Sequence, residues 1–250
     1  MSLRDHVKWV QLASYPKSGN TWIRHIIGEL AGLPFEKAVI GGHRYPISDA
    51  EPIVVNGTTY RFFKHHGPLQ ETEPPVSIVI YIYRHPLAVF ISSLNQMRIR
   101  NRRDAFIGGK VKTVDEIYHD GEMGYYFDRY MDQGGWEFYR FSPLTRTWYE
   151  HFDYWERTSS SVKKLYRIRY EDMLQDACTT FLPIARDLFN KGLEDLRVVM
   201  ESVDAKTRPD GVFYWRREAE AFRDYLTEAQ IQAFEERYRP YLQRMGYLPS

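Results

Sequence analysis

The chain has 250 residues, 43% hydrophobic and 27% charged, with a formal net charge of +1 and a single cysteine, Cys178. This is the balance of a folded globular protein and not of a disordered one. It argues against a broad nucleic-acid surface, so any anion site must be local, and one cysteine excludes both an internal disulfide and a cysteine-based zinc site. Residues 1–6 carry no apolar stretch of signal length, and no run of the sequence approaches a membrane span. A reducing cytoplasm is the expected compartment.

Residues 7–13 are mostly apolar and read as a strand. Residues 22–30 carry Trp22, Ile23, Ile26, Ile27 and Leu30 at helical spacing. Between them lies Ser14-Tyr15-Pro16-Lys17-Ser18-Gly19-Asn20-Thr21. Strand, tight loop, helix is an arrangement that presents backbone N–H groups and a helix N-terminus to an anion. Lys17 adds a mobile positive charge, Ser18, Asn20 and Thr21 add side-chain donors, and Gly19 permits close approach of the backbone. Trp22 offers a ring that can stack on a nucleobase. The loop is not a Walker A sequence: Lys17 precedes Gly19, and no earlier glycine stands in register.

A second strand is expected over residues 58–64, ending in Lys64-His65-His66-Gly67-Pro68, where Gly-Pro stops it. A third, over 76–83, is nearly continuous in apolar and β-favouring residues, as a central parallel strand buried on both faces should be. Arg84-His85-Pro86 ends it, with Pro86 suited to the first turn of a helix running to about residue 97. Residues 101–142 hold several glycines and many aromatic and charged residues. They read as an insertion that is either plain core or a lid over an acceptor pocket. Residues 145–157 read as an amphipathic helix, 164–169 as a fourth strand, and Tyr170-Glu171-Asp172 as the opening of another helix, its acids serving the N-terminus. Residues 226–241 complete the set as a helix capped by Thr227.

Strands alternating with helices imply an α/β fold, a central parallel sheet with helices on both faces, built as one domain over residues 1–250 with the insertion at about 101–142. In such sheets ligands bind at the carboxyl ends of the strands. The loop from Lys17, the Lys64–His66 segment, Arg84 and Tyr170 all fall at such ends. His65 and His66, adjacent on a strand, point to opposite faces, and neither has a His or Glu partner at ligand spacing, so no metal site is expected. The Arg98–Arg103 run reads as a solvated helix end.

Taken together, these segments resemble the sulfotransferases that use 3′-phosphoadenosine 5′-phosphosulfate (PAPS). Tyr15-Pro16-Lys17-Ser18-Gly19-Asn20-Thr21-Trp22 resembles the family's 5′-phosphosulfate loop. Arg84-His85-Pro86 with Ser92 resembles its 3′-phosphate motif. Lys64-His65-His66-Gly67-Pro68-Leu69 resembles the strand end with the catalytic histidine, and Tyr170-Glu171-Asp172-Met173 the segment after the next strand. The resemblance implies a nucleotide-binding fold of the P-loop type. It implies that Lys17 meets the 5′-phosphate and bridging oxygen, that Ser18 to Thr21 hold the 5′-phosphate, and that Trp22 stacks on adenine. Arg84 and Ser92 would hold the 3′-phosphate, and Tyr170 would approach the adenine end. His66 would be the base, with His65 its alternative if the strand slips by one residue, and Lys64 would stabilise charge at the sulfuryl group.

Two departures stand out. Asn20 replaces the first of two threonines. The usual Arg-Lys-Gly near the C-terminus is represented only by Arg216-Arg217, with Arg216 carried over and Arg217 its competitor. The implied reaction moves a sulfuryl group from PAPS to a hydroxyl, less readily an amine, of a small molecule with an aromatic or apolar body. It leaves 3′-phosphoadenosine 5′-phosphate (PAP) and needs no metal, nucleic acid or membrane. The alternatives are a kinase or NTPase of related fold and a non-catalytic phosphoadenosine binder. Acceptor identity and oligomeric state are not written in these motifs.

Overall fold

The structure, a computed structural model, describes residues 7–33, 52–99, 112–139, 146–207 and 216–249. Five strands form one sheet: β1 (Val7–Ser14), β2 (Pro52–Val55), β3 (Thr58–His65), β4 (Ile78–Tyr83) and β5 (Lys164–Arg169). Their order is β2-β3-β1-β4-β5. β1 runs parallel to β3 and to β4, and β4 parallel to β5, whereas β2 pairs antiparallel with β3. The central parallel sheet is thus the expected one, with an antiparallel edge strand added. That edge comes from a hairpin at Asn56-Gly57, both in the left-handed region with φ of 49° and 75°. Two consecutive positive φ values make the turn whose twist matches the flanking strands, and Asn-Gly is its preferred pair.

The helices are α1 (Asn20–Leu30), α2 (Pro86–Ile99), α3 (Val114–His119), α4 (Met123–Gln133), α5 (Trp148–Arg157), α6 (Tyr170–Ile184), α7 (Leu193–Thr207) and α8 (Glu228–Arg244). Among the described residues none is long and apolar enough to cross a membrane. Contacts divide the chain into two compact units, one of Met1–Arg84 with Asp153–Arg217 and one of His85–Phe152 with Glu218–Ser250.

The first unit contains the whole sheet. Its core joins Val10 and Leu12 of β1, Phe62, Ile80 and Ile82 to Ile23, Ile26 and Ile27 of α1 and to Phe181, Leu196 and Val203 of α6 and α7. These side chains alternate along the strands and recur at helical spacing along α1, so one sheet face and one helix stripe meet. On α1, Glu29 accepts from Ser202 and Lys206 of α7 at 2.8 and 2.7 Å. The other sheet face carries Tyr81, stacked on Trp155 of α5 with ring centroids 5.8 Å apart.

The second unit is built on aromatic rings. Phe90 of α2 meets Tyr130 of α4 at 4.8 Å, and Tyr130 stacks on Phe234 of α8 at 6.2 Å. The Tyr130 hydroxyl donates to the Pro86 carbonyl at 2.9 Å. Of the insertion expected over 101–142, residues 112–139 are described. They form α3, α4 and the 3-10 turn Trp136–Tyr139. Tyr126, Phe127, Tyr130 and Phe138 are buried there, whereas Tyr118, Tyr125 and Trp136 are exposed. Most of the arginine run from Arg98 to Arg103 lies outside the described residues. At α5 the ladder starts at Trp148, where Thr147 and Glu150 cap each other: Glu150 N–H donates to Thr147 Oγ1 at 3.2 Å, and Thr147 N–H to Glu150 Oε2 at 3.1 Å. α8 has the same reciprocal cap from Thr227 and Gln230.

Candidate active site

Parallel pairing sets the site. Ala13 lies beside His65, Ser14 beside Ile82, and Tyr83 beside Arg169. The segments that follow β1, β3, β4 and β5 therefore leave the sheet at one edge, its carboxyl edge.

The loop after β1 turns sharply. Ser18 N–H donates to the Tyr15 carbonyl at 3.3 Å, and Lys17 and Gly19 take φ of 70° and 100°. The first intrahelical bonds of α1 run from Trp22 and Ile23 N–H to the Gly19 carbonyl, at 3.0 and 3.4 Å. The N–H groups of Gly19, Asn20 and Thr21 thus precede the helical ladder. No acidic side chain stands in the first turn to neutralise this end of the helix dipole. Ser18 and Asn20 are buried, and Lys17, Gly19 and Thr21 half-buried. Glycine is required at position 19. A Cβ there would stand 2.6 Å from Cδ2 of Tyr170 and 3.1 Å from Cδ1 of Ile82. The loop backbone therefore rests directly on the first residue of α6.

Cations and rings gather around Tyr170. Arg84, only 8% exposed, lies with its guanidinium 4.3 Å from the centre of the Tyr170 ring and donates to the Lys17 carbonyl at 3.4 Å. Burial raises the Tyr170 phenol above its usual pKa, and the charges of Arg84 and Arg217 act the other way. Trp22 is buried edge-to-face against Tyr170 at 6.0 Å. The guanidinium of Arg217 lies 5.0 Å over the Trp22 ring, bonded to Asp204 and, at 2.7 Å, to the Thr207 hydroxyl. Arg216 beside it is half-buried, and Ser92 stands half-buried on α2 in the second unit. Asp172, as expected of the acids opening α6, stays at the helix start, where it accepts from Arg169 Nε at 2.8 Å.

The two histidines have separate environments. His65, on β3, is buried, and its Nδ1 accepts from Gly67 N–H at 3.2 Å. Burial lowers its pKa. His66 Nδ1 lies 2.7 Å from the Ser14 carbonyl oxygen. A carbonyl only accepts, so Nδ1 carries the proton of the neutral ring and Nε2 is the basic nitrogen. Lys64, two residues back and half-buried, is the last residue but one of β3, and His66 follows the strand's end. The turn after His66 is held from two sides. Gln11, fully buried on β1, donates to the Pro68 carbonyl and accepts from Gln70 N–H, both at 3.0 Å, and Leu69 N–H donates to the Tyr154 hydroxyl at 2.9 Å. Sequence reading passed over Gln11. A polar residue inside an apolar strand was its one signal.

Asn20 turns its side chain inward. Its Nδ2 donates to Ser14 Oγ at 3.2 Å and to the Leu12 carbonyl at 3.4 Å. Among the described residues no group of His, Cys, Asp and Glu side chains has the arrangement of a metal site.

Comparison with known proteins identifies the family. A family profile described as Sulfotransferase domain matches residues 8–186. Cytosolic sulfotransferase 15 of Arabidopsis thaliana is 23% identical over 279 residues, covering 93% of this chain and 72% of the relative. Two solved structures share the fold. Mouse sulfotransferase SULT7A1 complexed with PAP has a TM-score of 0.57 at 16% identity, covering 94% of this chain and 85% of its own. Retinol dehydratase in complex with androsterone and the inactive cofactor PAP has a TM-score of 0.59 at 18% identity, covering 97% and 82%. The same enzyme has also been solved with retinol and PAP, at a TM-score of 0.57. With the profile matched over most of its length, from the first strand through α6, this chain belongs to the sulfotransferase family.

Proposed function

We propose that this enzyme transfers the sulfuryl group of PAPS to a hydroxyl of a small-molecule acceptor. The observation that carries the reading is the gathering, at one sheet edge, of a helix N-terminus with no acid in its first turn, Lys17, Arg84 on the Tyr170 ring, Arg217 on the Trp22 ring, and a histidine whose Nδ1 meets the Ser14 carbonyl. A nucleotide phosphorylated twice needs two anion sites, and this edge supplies both. The backbone from Gly19 to Thr21 with Lys17 suits the 5′-phosphosulfate, the buried Ser18 closing the turn that supports it. Arg84 with Arg217 suits the 3′-phosphate. Trp22 and Tyr170 supply aromatic surface for adenine. Of the two C-terminal arginines, Arg217 is preferred for its place over Trp22.

Sulfuryl transfer is chiefly positioning and charge stabilisation, because an SO3-like group passes between two oxygens in line. His66 Nε2 takes the acceptor's hydroxyl proton as the new oxygen–sulfur bond forms. The bond from sulfur to the bridging oxygen breaks, and Lys17 meets the charge left on that oxygen. Lys64 faces the transferring group. A hydroxyl acceptor matches a neutral imidazole base. The relatives solved with androsterone and retinol support a small acceptor with an apolar body.

Thermal shift separates this reading from an ATP-dependent one. At about a hundred times its Kd, PAP should stabilise the protein by about 2.7 kcal/mol, or about 5–10 °C in Tm. ATP with magnesium should give a smaller shift at equal concentration, and a larger one would overturn the proposal. Stabilisation by PAP without turnover of PAPS over a broad panel of alcohols and phenols would favour a binding protein instead. Arg84→Ala should weaken PAP about 10- to 100-fold, as loss of a charged hydrogen-bonding group predicts, and adenosine 5′-phosphate far less. Calorimetric titration of both ligands checks this, and equal losses would contradict the 3′-phosphate assignment.

A further inference from the structure

We infer that Ser14 and Asn20 are positioning residues for His66: the buried Asn20 side-chain amide holds the Ser14 hydroxyl, which together with the Ser14 carbonyl keeps the His66 proton on Nδ1. This rests on the proposed role of His66 as base.

Three contacts carry it. His66 Nδ1 lies 2.7 Å from the Ser14 carbonyl oxygen and 3.1 Å from Ser14 Oγ. Asn20 Nδ2 lies 3.2 Å from the same Oγ. The direction of each bond follows from the atoms. The carbonyl must accept, so Nδ1 is protonated, and its hydrogen is shared between the two oxygens of one serine. Asn20 Nδ2 must donate. Ser14 Oγ is thereby an acceptor toward both neighbours, its lone pairs fixed by the amide. Ser14 is fully buried and Asn20 is 6% exposed. In so dry a place these dipoles are strong and do not rearrange.

The arrangement also accounts for asparagine at the start of α1. Nδ2 has two hydrogens and two acceptors, Ser14 Oγ and the Leu12 carbonyl. The amide faces β1 in consequence, and it is the backbone N–H of Asn20 that the helix end offers to an anion. Hence the loop that grips the nucleotide and the base that deprotonates the acceptor are joined through a single strand end. When Nε2 takes a proton the ring becomes cationic, and both Ser14 oxygens then accept from a more acidic Nδ1–H, a bond stronger than the neutral one.

The test reads the tautomer directly and needs no acceptor. Long-range proton–nitrogen correlation on protein with ¹⁵N-labelled histidine, in the presence of PAP, distinguishes a protonated from an unprotonated ring nitrogen. His66→Gln identifies the signal among the eight histidines. The wild-type protein should show His66 protonated at Nδ1 and bare at Nε2, the reverse of what a free histidine side chain prefers. Ser14→Ala and Asn20→Ala leave the Ser14 carbonyl in place, so Nδ1 should remain the main protonated nitrogen in both, with a larger share of the Nε2 tautomer than in the wild-type protein. Each should lower kcat about three- to tenfold, the effect of one lost neutral hydrogen bond, and Ser14→Ala should do so with PAP affinity within twofold of wild type. The double variant should be no worse than the poorer single one, because both act on one bond. Ser14→Thr, which keeps the hydroxyl, should restore the wild-type signature, and if Asn20→Ala does not fold, Ser14→Ala decides alone. His66 protonated at Nε2 in the wild-type protein, or a tautomer ratio and kcat both unchanged in Ser14→Ala, overturns the inference. Failure of the functional reading would appear separately, as absence of PAP stabilisation.

Discussion

His66→Ala is expected to lower turnover by about 10²- to 10⁴-fold, the usual contribution of a positioned general base, while PAP binds with nearly unchanged affinity. The asymmetry follows from geometry. His66 reaches the strand end through Nδ1, which bonds the Ser14 carbonyl at 2.7 Å, and the elements proposed to bind the phosphates stand elsewhere, on the α1 N-terminus, Arg84 and Arg217. Removing the imidazole takes the proton acceptor and leaves both phosphate sites in place. His65→Ala should behave in the opposite way. Its ring is buried and folded back on Gly67 N–H, so the variant loses stability before it loses chemistry. Steady-state kinetics beside calorimetry on both variants checks the pair. Full turnover in His66→Ala would reassign the base.

Gly19→Ala should destabilise the protein by about 2–6 kcal/mol. Two costs add. An alanine at φ of 100° is strained by about 1–3 kcal/mol. Its Cβ would also stand 2.6 Å from the Tyr170 ring, an overpacking worth about 1–3 kcal/mol more. The ring cannot swing aside cheaply, since Arg84 covers it and Trp22 abuts its edge. A melting temperature lower by about 5–15 °C is the expected reading. Tyr170→Ala in the same background should relieve the clash and leave only the backbone strain, so the two substitutions should combine less than additively. Additive losses would mean that Gly19 and Tyr170 do not meet.

Much of the fold is local, and local patterns are legible. The apolar run before Ser14, the helical spacing from Trp22 to Leu30 and the continuous run through Tyr83 each become the expected element, because burial of one face is encoded residue by residue. Thr227 caps α8 as its type and place imply. The hairpin of β2 and β3 is legible too, in Asn56-Gly57, although the strand before the turn is only four residues long. The rings of residues 112–139 were ambiguous for a different reason. Helical spacing says that Tyr126, Phe127 and Tyr130 share a face, and only the packing of α2, α4 and α8 makes that face a core.

What the sequence by itself determined is therefore the set of strand ends and the residue types standing on them: Lys17, Gly19, His66, Arg84 and Tyr170. What the tertiary structure decided is which atoms of these residues meet. Ser14 and His66 are 52 positions apart, and their hydrogen bond exists because β1 and β3 pair in parallel, with Ala13 opposite His65. Asn20 faces β1 because α1 packs back onto the sheet, and Arg217 lies over Trp22 because α7 packs on α1. A pattern of residues states what chemistry is present, but the tautomer of a histidine is set by its neighbour, and neighbours distant in the chain are chosen by strand pairing and packing.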